Sequence, residues 1–364
     1  MAERTRPTLP GAGSGTLGVG GVGGVGGVGG LGRVGGLGLG PERRADAAPD
    51  PVLDAIEMIA RLPGVAGAVA AARQACEELR WHEAFRRRHR EVRLEAGLRS
   101  AQASAAVDGA RVPLDVLRSL AVALGADGSA GASGLAGAAG DDGAVGADGS
   151  ERAARPQRTD VPADQRVAAG ALRAAALAEQ WMPELTARGT AVLPPTGQLL
   201  AGLHRAATAG WLQAEAVGRL RGPDQPSDLY GLGPAPTGSA VASRLELLGH
   251  VARDSRAPAL VVVAVVHGEI LALRPFAAGN GVVARAAARL LLTVGGLDPT
   301  GTVLPELAWA AAPHAYVAAA AGFATGEPQG VAAWVGACAA GVVSGARAAG
   351  LAADAVLAGR LDGA

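Results

Sequence analysis

The stretch Leu273-Arg274-Pro275-Phe276-Ala277-Ala278-Gly279-Asn280-Gly281-Val282-Val283-Ala284-Arg285 decides how the rest of the chain is read. A Pro-Phe pair leads into Gly-Asn-Gly, and strong helix formers follow, with Arg285 and Arg289 among them. Glycines just before a helix leave several backbone N–H groups free to point at one spot. The helix dipole adds positive character there, so the spot attracts an anion. Asn-Gly is also a common turn pair, and the tripeptide alone favours an ordinary loop-to-helix turn. The surroundings shift that balance.

Immediately upstream, 259–273 is a continuous apolar run read as a buried helix, and 282–295 is the helix after the glycines. Further upstream, helical spacing is found at 52–62, 66–101, 113–124, 168–185, 198–209 and 237–253; downstream it is found at 316–323 and 331–343. Pro63-Gly64 separates the first two. Leu79, Trp81, Phe85, Val92, Leu94 and Leu98 are the core candidates of the second. Between 214 and 230, Pro223 and Pro226 interrupt the pattern, which reads as a turn and a short hairpin.

Two stretches lack any such pattern. Residues 1–45 are close to a Gly-Val-Gly repeat, which orders at high entropic cost and offers little apolar area in return. They are expected to be a disordered tail. Residues 126–165 shift to Gly, Ala, Asp and Ser and read as a flexible linker. The expected layout is a tail at 1–45, an N-terminal helical region at 46–125, the linker, and an all-α core at 166–358.

Charge balances at 33 basic and 33 acidic residues, so nothing pulls the whole chain toward nucleic acid or an anionic membrane. Every basic residue is arginine, which discounts arginine counts as a functional signal. Arg86-Arg87-Arg88-His89-Arg90 could serve a nucleic acid. It reads better as the wet face of a helix beside Glu83, Glu91 and Glu95. Cys76 and Cys338 make neither a disulfide framework nor a zinc site. No signal peptide fits, and the nearest membrane-length run, 257–273, contains His267 and Glu269. The cytoplasm is the expected location.

The stretch 274–285, RPFAAGNGVVAR, resembles the signature of the Fic (Fido) family, H-P-F-x-[D/E]-G-N-G-R-x-x-R. The match covers Pro275, Phe276, Gly279, Asn280, Gly281 and Arg285. His267 stands seven residues before the first motif position, where many members have a histidine. AEAVGRLR (214–221) is similar to the element preceding the family's substrate-positioning flap, and 230–248 resembles the flap and the helix after it. Tyr316 and Trp334 fall where later helices of the family carry aromatics. SAQASAAVDGA resembles the inhibitory segment [S/T]-x-x-x-E-[G/N], with Ser104, Asp108 and Gly109 in register. The resemblance spans about residues 90–345.

It implies an all-α bundle with a small β-hairpin flap and transfer of AMP, or another phosphate-containing group, from a nucleotide to a protein hydroxyl. In the family the motif histidine is the base, the acidic residue holds magnesium, and the glycines and first arginine bind phosphates. The last arginine binds the γ-phosphate or pairs with the inhibitory glutamate.

This chain departs from the pattern where chemistry would occur. Arg274 replaces the histidine, and a guanidinium cannot take a proton from a hydroxyl. Ala278 replaces the acidic residue, which removes magnesium's carboxylate ligand. Val282 replaces the first arginine. His267 cannot stand in as base, because seven helical residues span about 10.5 Å. What persists is a phosphate cradle of Gly279, Asn280, Gly281 and Arg285, with Arg274 expected as a second cation and Asp108 as a partner for Arg285. The leading expectation is a degenerate Fido protein that holds ATP, another nucleotide or a phosphate without turnover and acts through a protein partner. The alternatives are an active nucleotidyl or phosphoryl transferase (protein AMPylation) with a non-standard site, and a structural or interaction protein that binds no nucleotide.

Overall fold

The computed structural model describes residues 50–131, 161–185 and 191–360. The expected tail and most of the expected linker lie outside the described residues. Among the described residues the chain forms twelve α-helices and no strand. In chain order they are α1 (Pro51–Ile59), α2 (Val65–Arg80), α3 (His89–Val107), α4 (Leu114–Gly131), α5 (Ala163–Trp181) and α6 (Thr196–Thr208). Then come α7 (Ser239–Asp254), α8 (Ala259–Leu273), α9 (Asn280–Val294), α10 (Pro305–Ala311), α11 (Pro313–Ala324) and α12 (Pro328–Leu357).

The bundle is built on α8 and α9. Helix α8 is apolar over most of its surface, as a helix largely enclosed by others must be, with Glu269 at its open edge paired to Arg244. Leu260, Val261, Ile270, Leu271 and Leu273 are all fully buried, and burying each such side chain contributes about 1.5–3 kcal/mol. On one side α5 and α6 pack against α9; on the other α7, α11 and α12 pack against α8. Helix α3 lies across α5 and α10, which brings its C-terminal end to the start of α9. Small residues permit the close crossings. A Cβ at Gly170 on α5 would overlap the Ala207 carbonyl of α6.

Three expectations change. The single helix expected over 66–101 is two helices with a 3-10 turn, Glu83–Arg86, between them. His82 makes the break, because its Nδ1 accepts from Ala84 N at 3.2 Å and starts a new turn. Leu79, Phe85 and Val92 are buried, whereas Trp81 and Leu94 are each 68% exposed. The arginine run lies at this break, with Arg88 and Arg90 in surface ion pairs to Glu91 and Glu184. Glu95 is buried instead, and receives Arg99 and Arg118.

The hairpin does not form. Residues 221–236 contain a single 3-10 turn, Tyr230–Leu232. Pro223, Pro226, Pro234 and Pro236 remove donors that a ladder needs. Side chains take the remaining backbone groups: Gln225 Nε2 donates to Ala235 O at 3.1 Å, and Ala235 N donates to Gln225 Oε1 at 2.7 Å. One amide side chain thus does for Ala235 what a neighbouring strand would do.

Among the described residues, the helix long and apolar enough to cross a bilayer is α12 rather than 257–273; its most apolar stretch has a mean hydropathy of 1.4 and is half buried. Trp334, Val335, Cys338 and Val342 point from it into the bundle.

Candidate functional site

The site is the turn between α8 and α9. Arg274 ends α8 in a left-handed conformation, φ +43°, rarely adopted by residues with a Cβ. Gly279, at φ +78°, then directs the chain into α9. A Cβ at Gly279 would lie 2.8 Å from the Thr208 methyl, so glycine is needed there for space as well as for backbone angle. Asn280, fully buried, closes the turn on itself. Its Oδ1 accepts from Phe276 N at 2.9 Å, and its Nδ2 donates to Phe276 O at 2.9 Å.

His204 on α6 fixes the turn from below. Its ring stacks on Phe276 at 4.0 Å, nearly parallel. Gly218 N donates to Nδ1 at 2.9 Å, so Nδ1 is an acceptor and the proton sits on Nε2. Nε2 then donates to Ala278 O at 3.0 Å. Burial pushes the imidazole down to about 4, which keeps it neutral. Both nitrogens are engaged, so it is no base. Sequence reasoning placed His204 only as a helix residue; no spacing ties it to a turn 74 residues later.

The inhibitory-like segment meets the motif. Ser104 and Asp108 lie four apart on the last turn of α3 and so share one face. Gly109, φ +92°, ends the helix: Ala110 N donates to Ala105 O and Gly109 N to Ala106 O, the paired bonds of a Schellman motif. Arg285 is fully buried on α9. Its Nε donates to Ser104 Oγ at 2.8 Å, and its Nη2 donates to Ser104 O at 2.9 Å and Asp108 Oδ2 at 2.7 Å. Burial pulls the Arg285 pKa down, but Asp108 and Tyr316 more than offset it, and the net direction is up. A Cβ at Gly281 would lie 2.7 Å from Asp108 Oδ1, so Asp108 also covers the start of α9.

A second carboxylate, unforeseen in the sequence, reaches the cradle. Asn280 N donates to Asp228 Oδ2 at 2.7 Å, and Asn280 Nδ2 donates to Asp228 Oδ1 at 2.9 Å. Burial raises the Asp228 pKa, against the two Asn280 bonds. Arg274, expected at the cradle as a second cation, is turned to the segment 221–236 instead. Its Nη1 donates to Leu229 O at 3.1 Å and its Nη2 to Gly233 O at 2.7 Å. The carbonyls left without strand partners are what draw it there. Arg221 binds the same junction, donating to the carbonyls of Leu273, Arg274 and Pro236.

His267 is buried among Trp309, Tyr316 and Trp334, with Nε2 2.7 Å from the Tyr316 hydroxyl. Burial pushes it down to about 3. Ala278 is buried and brings no oxygen ligand. Among the described residues no group of three His, Cys, Asp or Glu side chains is placed to hold a metal ion. The donors at the start of α9 already hold carboxylate oxygens, so this set of N–H groups suits an anionic oxygen ligand.

The chain matches no family model and no curated protein. Solved structures of Fic family proteins are similar to it. A Fic family protein from Desulfovibrio desulfuricans G20 is 16% identical, with 86% of this chain and 78% of that chain covered and a TM-score of 0.48. Fic-1 from C. elegans is 16% identical, with 85% of this chain and 75% of that chain covered and a TM-score of 0.46.

Proposed function

We propose that this chain is a degenerate Fido protein whose Gly279-Asn280-Gly281 turn binds the phosphates of a nucleotide without transferring them, and that Asp108 holds the site off. The observation that carries this is the contact of Arg285 with Ser104 and Asp108. In the register of the motif, Arg285 is the residue for a terminal phosphate, and here an internal carboxylate occupies it. A nucleotide competes with Asp108 for that guanidinium. Losing a positioned base costs about 10²–10⁴-fold in rate, and neither Arg274 nor His204 replaces it. Arg274 stays protonated, and the nitrogens of His204 are both in hydrogen bonds.

An active transferase would have to rely on charge stabilisation by Arg274 and Arg285. The engagement of Arg274 with two flap carbonyls weighs against it. Incubation with labelled ATP and candidate protein acceptors tests the proposal, with the double variant Arg274→His, Ala278→Asp in parallel. The expected result is no label from the native chain. Label transferred by the native chain would establish the active alternative. An absence of heat with ATP, ADP and GDP, in both the native chain and Asp108→Ala, would leave an interaction protein that binds no nucleotide.

A further inference from the structure

The donors at the start of α9 are already taken by a carboxyl group. Both oxygens of Asp228 are bonded there, one to the backbone N–H of Asn280 and one to its side-chain amide. Asp228 belongs to the segment 221–236, and its neighbours bind the same turn. Ser227 N donates to Ala277 O at 2.8 Å, and Leu229 O receives Arg274 Nη1. Leu229 itself is held at φ +54°, a backbone that leucine adopts only where its surroundings impose it.

We propose that Asp228 is the resident anion of the cradle, standing where a ligand's phosphate oxygens would sit, and that it latches segment 221–236 shut over the turn. Only the class of the displaced ligand rests on the phosphate reading above; the latch itself does not. Carboxylate and phosphate oxygens make the same contacts with a backbone N–H at a helix start. An incoming anion must therefore displace Asp228, and with it the segment Asp228 carries. A second carboxylate, Asp108, stands against Gly281 beside it; burial is the main cause that raises the Asp228 pKa, and Asp108 adds a smaller repulsion against the pull of Arg274 and the Asn280 bonds. One ligand with linked phosphates replaces two separate, mutually repelling carboxylates. A di- or triphosphate is thus the class that fits. Arg274 is the other half of the latch: where the motif would have its base, this chain has a side chain that ties the segment down.

The test is hydrogen–deuterium exchange of the full chain, read by peptide, for native protein, Asp228→Asn and Asp228→Ala. Pyrophosphate affinity is measured on the same three proteins. Asp228→Asn keeps the shape of the side chain and one acceptor oxygen, so it serves if the alanine variant does not fold. The expected result is exchange at least tenfold faster across 221–236, unchanged exchange in α8, and pyrophosphate binding at least tenfold tighter in the variants. Unchanged exchange across 221–236 would overturn the latch, as would equal pyrophosphate affinity in native and variant proteins. Faster exchange with no pyrophosphate binding by any of the three would uphold the latch and remove the phosphate reading of the cradle.

Discussion

Asp108 and Arg285 are 177 residues apart in sequence and meet at 2.7 Å, with the guanidinium fully enclosed. Removing one member of such a pair leaves a buried charge uncompensated. Asp108→Ala is therefore expected to destabilise the chain by about 3 kcal/mol, the lower end of the usual range because Asp108 keeps some exposure. Urea denaturation measures it. A nucleotide at about 100 times its dissociation constant should restore about 2.7 kcal/mol. A loss below about 0.5 kcal/mol would mean that Arg285 does not depend on this carboxylate.

Gly281→Ala probes the same contact from the other side. An added Cβ would lie 2.7 Å from Asp108 Oδ1 and 3.0 Å from Arg285 Nη1. Crowding of this kind costs about 1–3 kcal/mol, against a helix-propensity gain of about 1 kcal/mol. In the Asp108→Ala background the carboxylate clash is gone and only the contact with Arg285 Nη1 remains, so the cost of the substitution should fall. A double-mutant cycle reads the difference. Additive effects would show that Asp108 does not sit over Gly281.

Much of this site follows from residues near one another in sequence. The limits of α8 are clear because a mostly apolar run, broken by His267 and Glu269, stands between Pro258 and Pro275. Ser104, Asp108 and Gly109 are legible only through the resemblance to the inhibitory segment, and the structure places them together at one helix end. Asp228 and His204 are not legible, since each reaches the turn through tertiary packing, from 52 and 74 residues away. The missing hairpin has the same origin. The prolines near 230 are visible, but the guanidinium and amide groups that take up the free carbonyls are visible only in three dimensions.

His204 sets an acid limit on the fold. Its pKa falls from 6.5 to about 4 through burial, so the unfolded chain binds more protons between those values. Its contribution is fully present above pH 6.5 and is lost as pH falls toward 4, a change on the order of 3 kcal/mol. His267, buried and pushed down to about 3, acts in the same direction. Urea midpoints at pH 7 and pH 5 should therefore fall on acidification, and less steeply in His204→Gln. Stability that is flat over this interval would contradict the neutral, doubly bonded imidazole.

The α1 end of the bundle has the opposite dependence for its histidine. His250 contacts Asp50 at 2.6 Å and Asp254 at 2.9 Å, and the bond to Asp50 first of all raises its pKa. That contribution is present below the unfolded value of 6.5 and is lost as pH rises through the raised folded value. Asp50 is shifted down, chiefly by His250, and also caps α1, so its own contribution is lost only in acid. Hydrogen exchange in α1, corrected for intrinsic rates, should quicken from pH 7 to pH 9 while α8 stays protected. Equal protection of α1 at both values would rule out a charged His250 as its anchor.

The competition between nucleotide and Asp108 for Arg285 is read most directly by calorimetric titration of ATP into the native chain and into Asp108→Ala. The expected result is binding to the variant at least tenfold tighter than to the native chain. Equal affinity in the two proteins, or no binding by either, would contradict it.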